Sequence, residues 1–140
     1  MISTVAVGTD GSQTADRAVD EAAEVAKRFD ARLVLLGAFS DSASKKGAAQ
    51  HVELQWTWRP YARLKTIMER RQEELSRKGI DCETRMEEGD PPDVLVQLAR
   101  ECQADLLVIG NKGMHRRVLG SVPNTVTHRA ECSVLVVKTT

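Results

Sequence analysis

The residues best suited to bind a ligand lie in a glycine-rich segment, residues 110–122. Its glycines would let the backbone approach a ligand closely. They are Gly110, Gly113 and Gly120. Ser121 opens a predicted helix, whose free N–H groups and positive dipole end favour an anion. Residues 112–129 contain no acidic residue and four basic ones, which are Lys112, Arg116, Arg117 and Arg129. The pattern predicts a phosphate site, although a solvated basic helix start would look similar.

A second polar segment, residues 8–12, follows the first predicted strand. Ser12 is placed to cap the next helix. Asp10 either faces a ligand or serves only as a turn residue, because Asp-Gly pairs favour turns.

A receiver-type phosphoacceptor would also use an acidic residue at the position of Asp10. It would need a central third strand followed by an acidic acceptor, for which Glu87, Glu88 and Asp90 are candidates, and a lysine such as Lys138 after the fifth. The third strand has the weak alternation of an edge strand, which argues against it.

Several other site patterns are missing. Neither GxxxxGK[ST] nor GxGxxG occurs, so a site for Mg–triphosphate cleavage and a dinucleotide site are both disfavoured. Without a CxxC pair, the three cysteines predict reduced, packed thiols of a cytoplasmic protein, not a zinc site or a disulfide framework. They are Cys82, Cys102 and Cys132. The three histidines show no metal-ligand spacing.

We expect Trp56 and Trp58 to pack against the sheet or at a subunit contact; stacking on a base is the alternative.

The composition excludes some partners. The chain has 140 residues, with 20 basic and 20 acidic side chains, which predicts one domain over residues 1–140 and no general affinity for nucleic acid or membrane surfaces. Apolar runs of about five residues are far short of the ~20 that a membrane helix needs, and no signal peptide is evident. The charges are segregated: residues 81–93 carry six acidic residues and one arginine.

The hydrophobic spacing predicts strictly alternating strands and helices, in the order β-α-β-α-β-α-β-α-β. Short apolar runs at residues 4–7, 33–36, 106–109 and 134–137 indicate strands, and residues 80–87 a weaker one. Such alternation predicts a three-layer, Rossmann-like open parallel five-stranded sheet with helices on both faces. Ligands of such sheets bind beyond the carboxyl ends of the strands, where both polar segments lie. Residues 39–58 have the least pattern and are expected to form a variable loop.

The sequence resembles the universal stress protein family over essentially the whole chain. The resemblance rests on GTDGS after the first strand, on LLVIGNKG and GSVPN near the end, and on the closing CSVLVVK. It implies a homodimer formed through the Ser133–Lys138 strand and binding of ATP or another adenine nucleotide, with or without Mg²⁺. By position it implies that Thr9 and Asp10 contact the nucleotide and that the backbone of Ala38 meets adenine. It assigns the ribose and phosphate turn to Gly110, Gly113, Gly120, Ser121 and Val122.

One departure concerns the phosphate loop. The family motif G-x2-G-x9-G-[ST] has nine residues where this chain has six between Gly113 and Gly120, a loss of about 10 Å of extended chain. Either basic side chains such as Arg116 compensate, or only a shorter phosphate chain fits. The leading interpretation is a cytoplasmic adenine-nucleotide sensor of the stress response, binding ATP, AMP or cyclic AMP with at most slow hydrolysis. The alternative is a dimeric interaction module with a vestigial site, and the missing P-loop disfavours a true hydrolase.

Overall fold

The computed structural model describes residues 1–42, 56–111 and 119–139. In these residues five strands and four helices alternate along the chain. They are β1 (Thr4–Gly8), α1 (Gln13–Phe29), β2 (Arg32–Phe39), α2 (Tyr61–Arg77), β3 (Cys82–Glu88), α3 (Pro91–Glu101), β4 (Leu106–Asn111), α4 (Ser121–Arg129) and β5 (Ser133–Lys138). The predicted element order is confirmed.

The strands form one parallel sheet in the order β3-β2-β1-β4-β5. The chain first adds strands on one side of β1 and then returns to the other side, so the strand order reverses between β1 and β4. In open parallel sheets this reversal opens a crevice at the carboxyl ends of the strands, where ligands bind. The predicted fold class is confirmed, and it places residues 8–12 beside the end of β4.

Helices cover both faces of the sheet, and successive residues of the inner strands point to opposite layers. On β1, Val5 and Val7 pack with α1 and α2, whereas Ala6 packs with α3 and α4. On β2, Leu33 and Leu35 face the first layer, and Val34 and Leu36 face the second. Because both faces are buried, these strands appear in the sequence as unbroken apolar runs.

The two edges of the sheet differ in chemistry. β3 forms one edge of the sheet and carries the half-buried charged residues Glu83, Arg85 and Glu87. Charged side chains on an edge strand disfavour pairing with strands of other molecules. On β5 the edge is apolar, and Leu135 is 37% exposed. Since β3 lies at an edge, the receiver-type alternative is wrong, because it needs the third strand at the centre of the sheet.

Local signals explain where the helices begin. Ser12 caps α1, and its hydroxyl oxygen accepts the Ala15 N–H at 3.2 Å, as predicted. Gly11 before it has φ +79°, a left-handed conformation that glycine adopts without strain. Pro91 occupies the first turn of α3, where its missing N–H costs nothing. None of the described helices is long and apolar enough to cross a membrane.

Candidate functional site

Asp10 is the polar centre of the turn that follows β1. Its side chain is almost wholly buried, with 1% of the residue exposed. The Oδ1 atom accepts the Ser12 backbone N–H at 3.0 Å and the Ser12 hydroxyl at 2.6 Å. Next to it, the Thr9 hydroxyl oxygen accepts the Gly11 N–H at 3.1 Å. The turn role expected for Asp10 is therefore real, and it is compatible with a second role towards the crevice.

Residues 56–59, which we call the strap, cross the carboxyl ends of β1 and β2. The Trp56 indole Nε1–H donates to the Ala38 carbonyl at 3.3 Å. The Thr57 N–H donates to Asp10 Oδ2 at 2.8 Å, and Arg59 Nε donates to the Asp10 carbonyl at 2.6 Å. The strap thus joins two residues, Ala38 and Asp10, that the resemblance assigns to nucleotide contact. Trp56 is buried with 7% exposure in a core cluster that includes Leu36 and Ala38 of β2, so of the two packing positions expected for it the structure shows the one against the sheet.

The end of β4 is joined to the start of α4 by Asn111. Its Oδ1 accepts the Gly120 N–H at 2.9 Å, and Gly120 is the N-cap of α4. Its carbonyl accepts the Thr139 hydroxyl at 3.0 Å. The Asn111 side chain is completely buried, yet its Nδ2 has no hydrogen-bond partner among the residues that the structure describes. Such an amide can donate to a ligand oxygen.

These segments enclose a small cavity in the crevice between β1 and β4. Its volume is about 20 Å³, and its lining includes Gly8, Asp10, Trp56, Gly110, Val122 and Thr139. That is space for about one water molecule. Gly110 is needed for close packing, because a Cβ there would lie 3.0 Å from the Thr139 Cγ2.

The predicted site residues fall into four groups. Asp10, Gly110 and Val122 line the cavity. Thr9 and Ala38 are buried beside it, and Gly120 and Ser121 begin α4. Gly113 and Arg116 lie outside the described residues, as do Lys112, His115 and Arg117 of the basic cluster and residues 43–55 of the variable loop.

Arg129 does not belong to the basic cluster at the glycine turn. It ends the nine-residue α4 and pairs with Asp93 of α3. A helix of that length separates it from Ser121 by roughly 12 Å, at about 1.5 Å per residue. The expectation that all four basic residues gather at the turn is therefore wrong for Arg129, because the helix carries it to the opposite end.

Sequence reasoning missed Asn111 and Thr139. A polar residue that ends an apolar strand was a usable signal for Asn111. Nothing local marks Thr139, since it reaches the site only through the pairing of β5 with β4. Within the described ranges no three His, Cys, Asp or Glu side chains group closely enough to hold a metal ion.

One carboxyl group on α1 has a raised pKa. Asp16 lies in the first turn of α1. Burial raises its pKa, and the Arg71 guanidinium opposes the rise. The neighbouring acidic groups Asp20, Glu74 and Asp10 add to the increase. Asp16 faces the groove between α1 and α2 beside Arg71, and it does not line the cavity between β1 and β4.

Comparison with known proteins identifies the family. The family model described as "Universal stress protein family" matches residues 1–138. The chain belongs to this family. A universal stress protein of Mycobacterium tuberculosis strain H37Rv is 40% identical over 142 residues, covering 98% of this chain and 97% of that protein. The crystal structure of a universal stress protein in complex with cAMP is 37% identical, with a TM-score of 0.76 and 99% coverage of both chains.

More distant relatives agree with this assignment. A putative universal stress protein of Staphylococcus aureus strain USA300 is 32% identical over 140 residues and covers 96% of this chain. A universal stress protein structure from Archaeoglobus fulgidus, with 21% identity and a TM-score of 0.74, shares the fold. The universal stress protein fold is thus retained at low identity.

Proposed function

We propose that this universal stress protein binds an adenine nucleotide, ATP, AMP or cyclic AMP, in the crevice between β1 and β4, and acts as a cytoplasmic sensor of the stress response. The carrying observation is Asn111. It is fully buried, its Oδ1 organises the N-terminus of α4, and its Nδ2 lacks a partner among the described residues. An unsatisfied buried donor costs about 1–3 kcal/mol. A phosphate oxygen at the start of α4 would accept from Nδ2 and would also meet the positive end of the helix dipole.

The neighbouring residues fit such a ligand. Gly110 keeps the backbone bare at the end of β4, and Asp10 lies across the crevice as an acceptor for hydroxyl groups. The 37% identical relative was crystallised with cAMP, which supports the adenine class. In the proposal Thr9, Asp10 and Ala38 frame the nucleoside. Gly110, Gly113, Arg116 and Gly120–Val122 hold the phosphate.

Slow or absent hydrolysis is part of the proposal. The chain lacks the GxxxxGK[ST] motif, whose lysine and hydroxyl hold a Mg–triphosphate for cleavage. Ser12 also holds Asp10 Oδ1 through both its N–H and its hydroxyl, and neither contact involves the strap. Measurement of phosphate release from ATP tests this: sustained turnover that Asp10→Ala abolishes would contradict it.

Titration calorimetry tests binding. We expect at least one of ATP, AMP and cyclic AMP to bind more tightly than about 1 mM, which corresponds to about −4 kcal/mol. Asn111→Asp keeps the acceptor for Gly120 but replaces the amide donor by a carboxylate oxygen, so affinity should fall at least about tenfold, or roughly 1.4 kcal/mol. Asn124→Asp adds the same charge on the exposed side of α4 and is the matched control. If no nucleotide binds, the vestigial interaction module is the better description.

We also propose a homodimer through β5. Its free edge is apolar and Leu135 is 37% exposed, and an unpaired strand edge of this kind favours pairing with a second copy. Light scattering after gel filtration should give twice the monomer mass of 15.4 kDa. Leu135→Lys should convert the dimer to a monomer. Glu87→Lys changes the other edge of the sheet, at β3, and should leave the dimer intact. A monomer formed by Glu87→Lys but not by Leu135→Lys would show that the dimer forms through β3.

A further inference from the structure

Trp56 occupies the ligand crevice of the sheet. Strand order reverses between β1 and β4, which is where open parallel sheets bind their ligands. The Trp56 side chain lies there with 7% exposure and leaves a cavity of about 20 Å³. An adenosine group needs several times that space, since binding pockets for small molecules measure about 300–1,000 Å³. Nucleoside and indole therefore cannot share the crevice.

The indole also takes the hydrogen-bond acceptor that a purine would use. Trp56 Nε1–H donates to the Ala38 carbonyl at 3.3 Å. An indole and a purine are both flat, fused five- and six-membered rings with an N–H donor at the rim. Ala38 has no polar side chain, so its backbone carbonyl is the hydrogen-bond acceptor that it can offer to a base. A base that reaches this carbonyl must displace the indole donor.

The rest of the strap holds Trp56 in place through Asp10. The Thr57 N–H donates to Asp10 Oδ2 at 2.8 Å, and Arg59 Nε donates to the Asp10 carbonyl at 2.6 Å. The Arg59 carbonyl in turn accepts the Ser40 N–H at 3.1 Å, just beyond the end of β2. The strap is thus fastened at both sides of the position where a nucleoside would lie. Its contacts use an oxygen of Asp10 that a ribose hydroxyl would otherwise reach.

We infer that Trp56 is a built-in competitor of the nucleotide, and that the ligand binds only when the strap releases Ala38 and Asp10. The inference rests on the proposed function and adds its regulation: whatever stabilises the strap lowers nucleotide affinity. The observed dissociation constant equals the intrinsic one divided by the fraction of molecules with an open strap. A strap that is closed in nine molecules of ten weakens binding about tenfold.

Calorimetry with cyclic AMP on Trp56→Ala tests the competition. The variant opens the crevice, so we expect binding to tighten about tenfold or more relative to the unaltered protein. Trp58→Ala is the matched control, because Trp58 is only half-buried and does not line the cavity; its affinity should stay within about threefold of the unaltered protein. Unchanged or weaker binding by Trp56→Ala overturns the inference, and weaker binding would mean that Trp56 stacks on the base.

Fluorescence gives an independent readout in a protein with its strap intact. The chain has two tryptophans, so Trp58→Phe leaves Trp56 as the single emitter. Saturating cyclic AMP should shift its emission to longer wavelength and increase quenching by acrylamide, because a displaced indole meets water. Binding without such a change overturns the inference and leaves the proposed function standing. If neither the unaltered protein nor Trp56→Ala binds an adenine nucleotide, both are overturned.

A backbone variant tests the strap without removing the indole. Thr57→Pro removes the N–H that donates to Asp10 Oδ2, whereas Thr57→Ala retains it. We expect Thr57→Pro to bind cyclic AMP several-fold more tightly than Thr57→Ala, because the loosened strap is open more often. Equal affinities of the two variants would show that the Asp10 contact does not hold the strap closed.

Discussion

Asp10 should contribute to stability mainly through the strap and the turn that it joins. In Asp10→Asn, one carboxylate oxygen becomes an NH₂ group. The remaining oxygen is best kept facing Ser12, which donates both its N–H and its hydroxyl to Oδ1. The NH₂ group then faces the Thr57 N–H across 2.8 Å, and two donors meet without an acceptor. The variant loses the Thr57 hydrogen bond selectively.

The expected cost follows from that geometry. A hydrogen bond to a charged group contributes about 1.5–3 kcal/mol, so Asp10→Asn should lower the free energy of unfolding by about 2 kcal/mol. Asp10→Ala leaves the backbone N–H groups of both Ser12 and Thr57 without their acceptor in a site that is 1% exposed. At about 1–3 kcal/mol for each of the two unsatisfied donors, Asp10→Ala should lose about 2–6 kcal/mol.

Urea unfolding followed by circular dichroism measures both losses, provided that the slope with denaturant stays constant. Hydrogen exchange adds a local readout, because the Thr57 amide should exchange faster in Asp10→Asn. Asp30→Asn is the control. Asp30 is exposed and has a left-handed backbone with φ 53°, which asparagine tolerates well. This substitution should change the free energy of unfolding by less than about 0.5 kcal/mol. The reasoning is refuted if Asp10→Asn matches this control while the Thr57 amide stays protected.

Three further predictions concern the scaffold. Gly37→Ala would place a Cβ 2.6 Å from the Met68 Sδ, so urea unfolding should show a loss of about 1–3 kcal/mol from overpacking, and unchanged stability would mean that α2 shifts freely. Burial raises the pKa of the Cys82 thiol to about 11, so little of it is thiolate at pH 8. Iodoacetamide should therefore modify Cys82 at least ~100-fold more slowly in the native protein than in urea, as measured by mass spectrometry. Equal rates would contradict the burial of Cys82. Two backbone N–H groups at the start of β1 donate to Asp105 at 2.8 and 2.9 Å and lower its pKa. Asp105→Asn should therefore lower the Tm at pH 7. The difference in Tm between the variant and the unaltered protein should shrink as the pH falls through the lowered pKa of Asp105, because protonation removes the same interaction. A difference in Tm that does not depend on pH would refute the charge argument.

Much of the fold could be predicted because local signals and global topology agree. The unbroken apolar runs of β1, β2 and β4 indicate strands buried on both faces, and the weak alternation of β3 indicates the edge that it occupies. Ser12 was recognisable as a helix cap because capping depends on residues only three positions apart. The start of α4 after Gly120 was predictable in the same way.

The contacts inside the site could not be predicted in this manner. Trp56 and Ala38 are 18 residues apart, and Thr57 and Asp10 are 47 apart. No periodicity links such pairs, since their contact depends on how α2 packs on the sheet and where the chain re-enters from β2. Trp56 was expected to pack on the sheet, but its hydrogen bond to Ala38 had no signal in the sequence.

The amino-acid order by itself determined the strand and helix sequence, the helix cap at Ser12 and the family to which the chain belongs. These features follow from local propensity and side-chain period, which act over a few residues. Only the tertiary structure decided that Arg129 is carried away from the turn, that Asn111 presents a buried amide, and that Trp56 fills the crevice. Each of these depends on long-range packing, because burial and direction are properties of the assembled layers and not of any single segment.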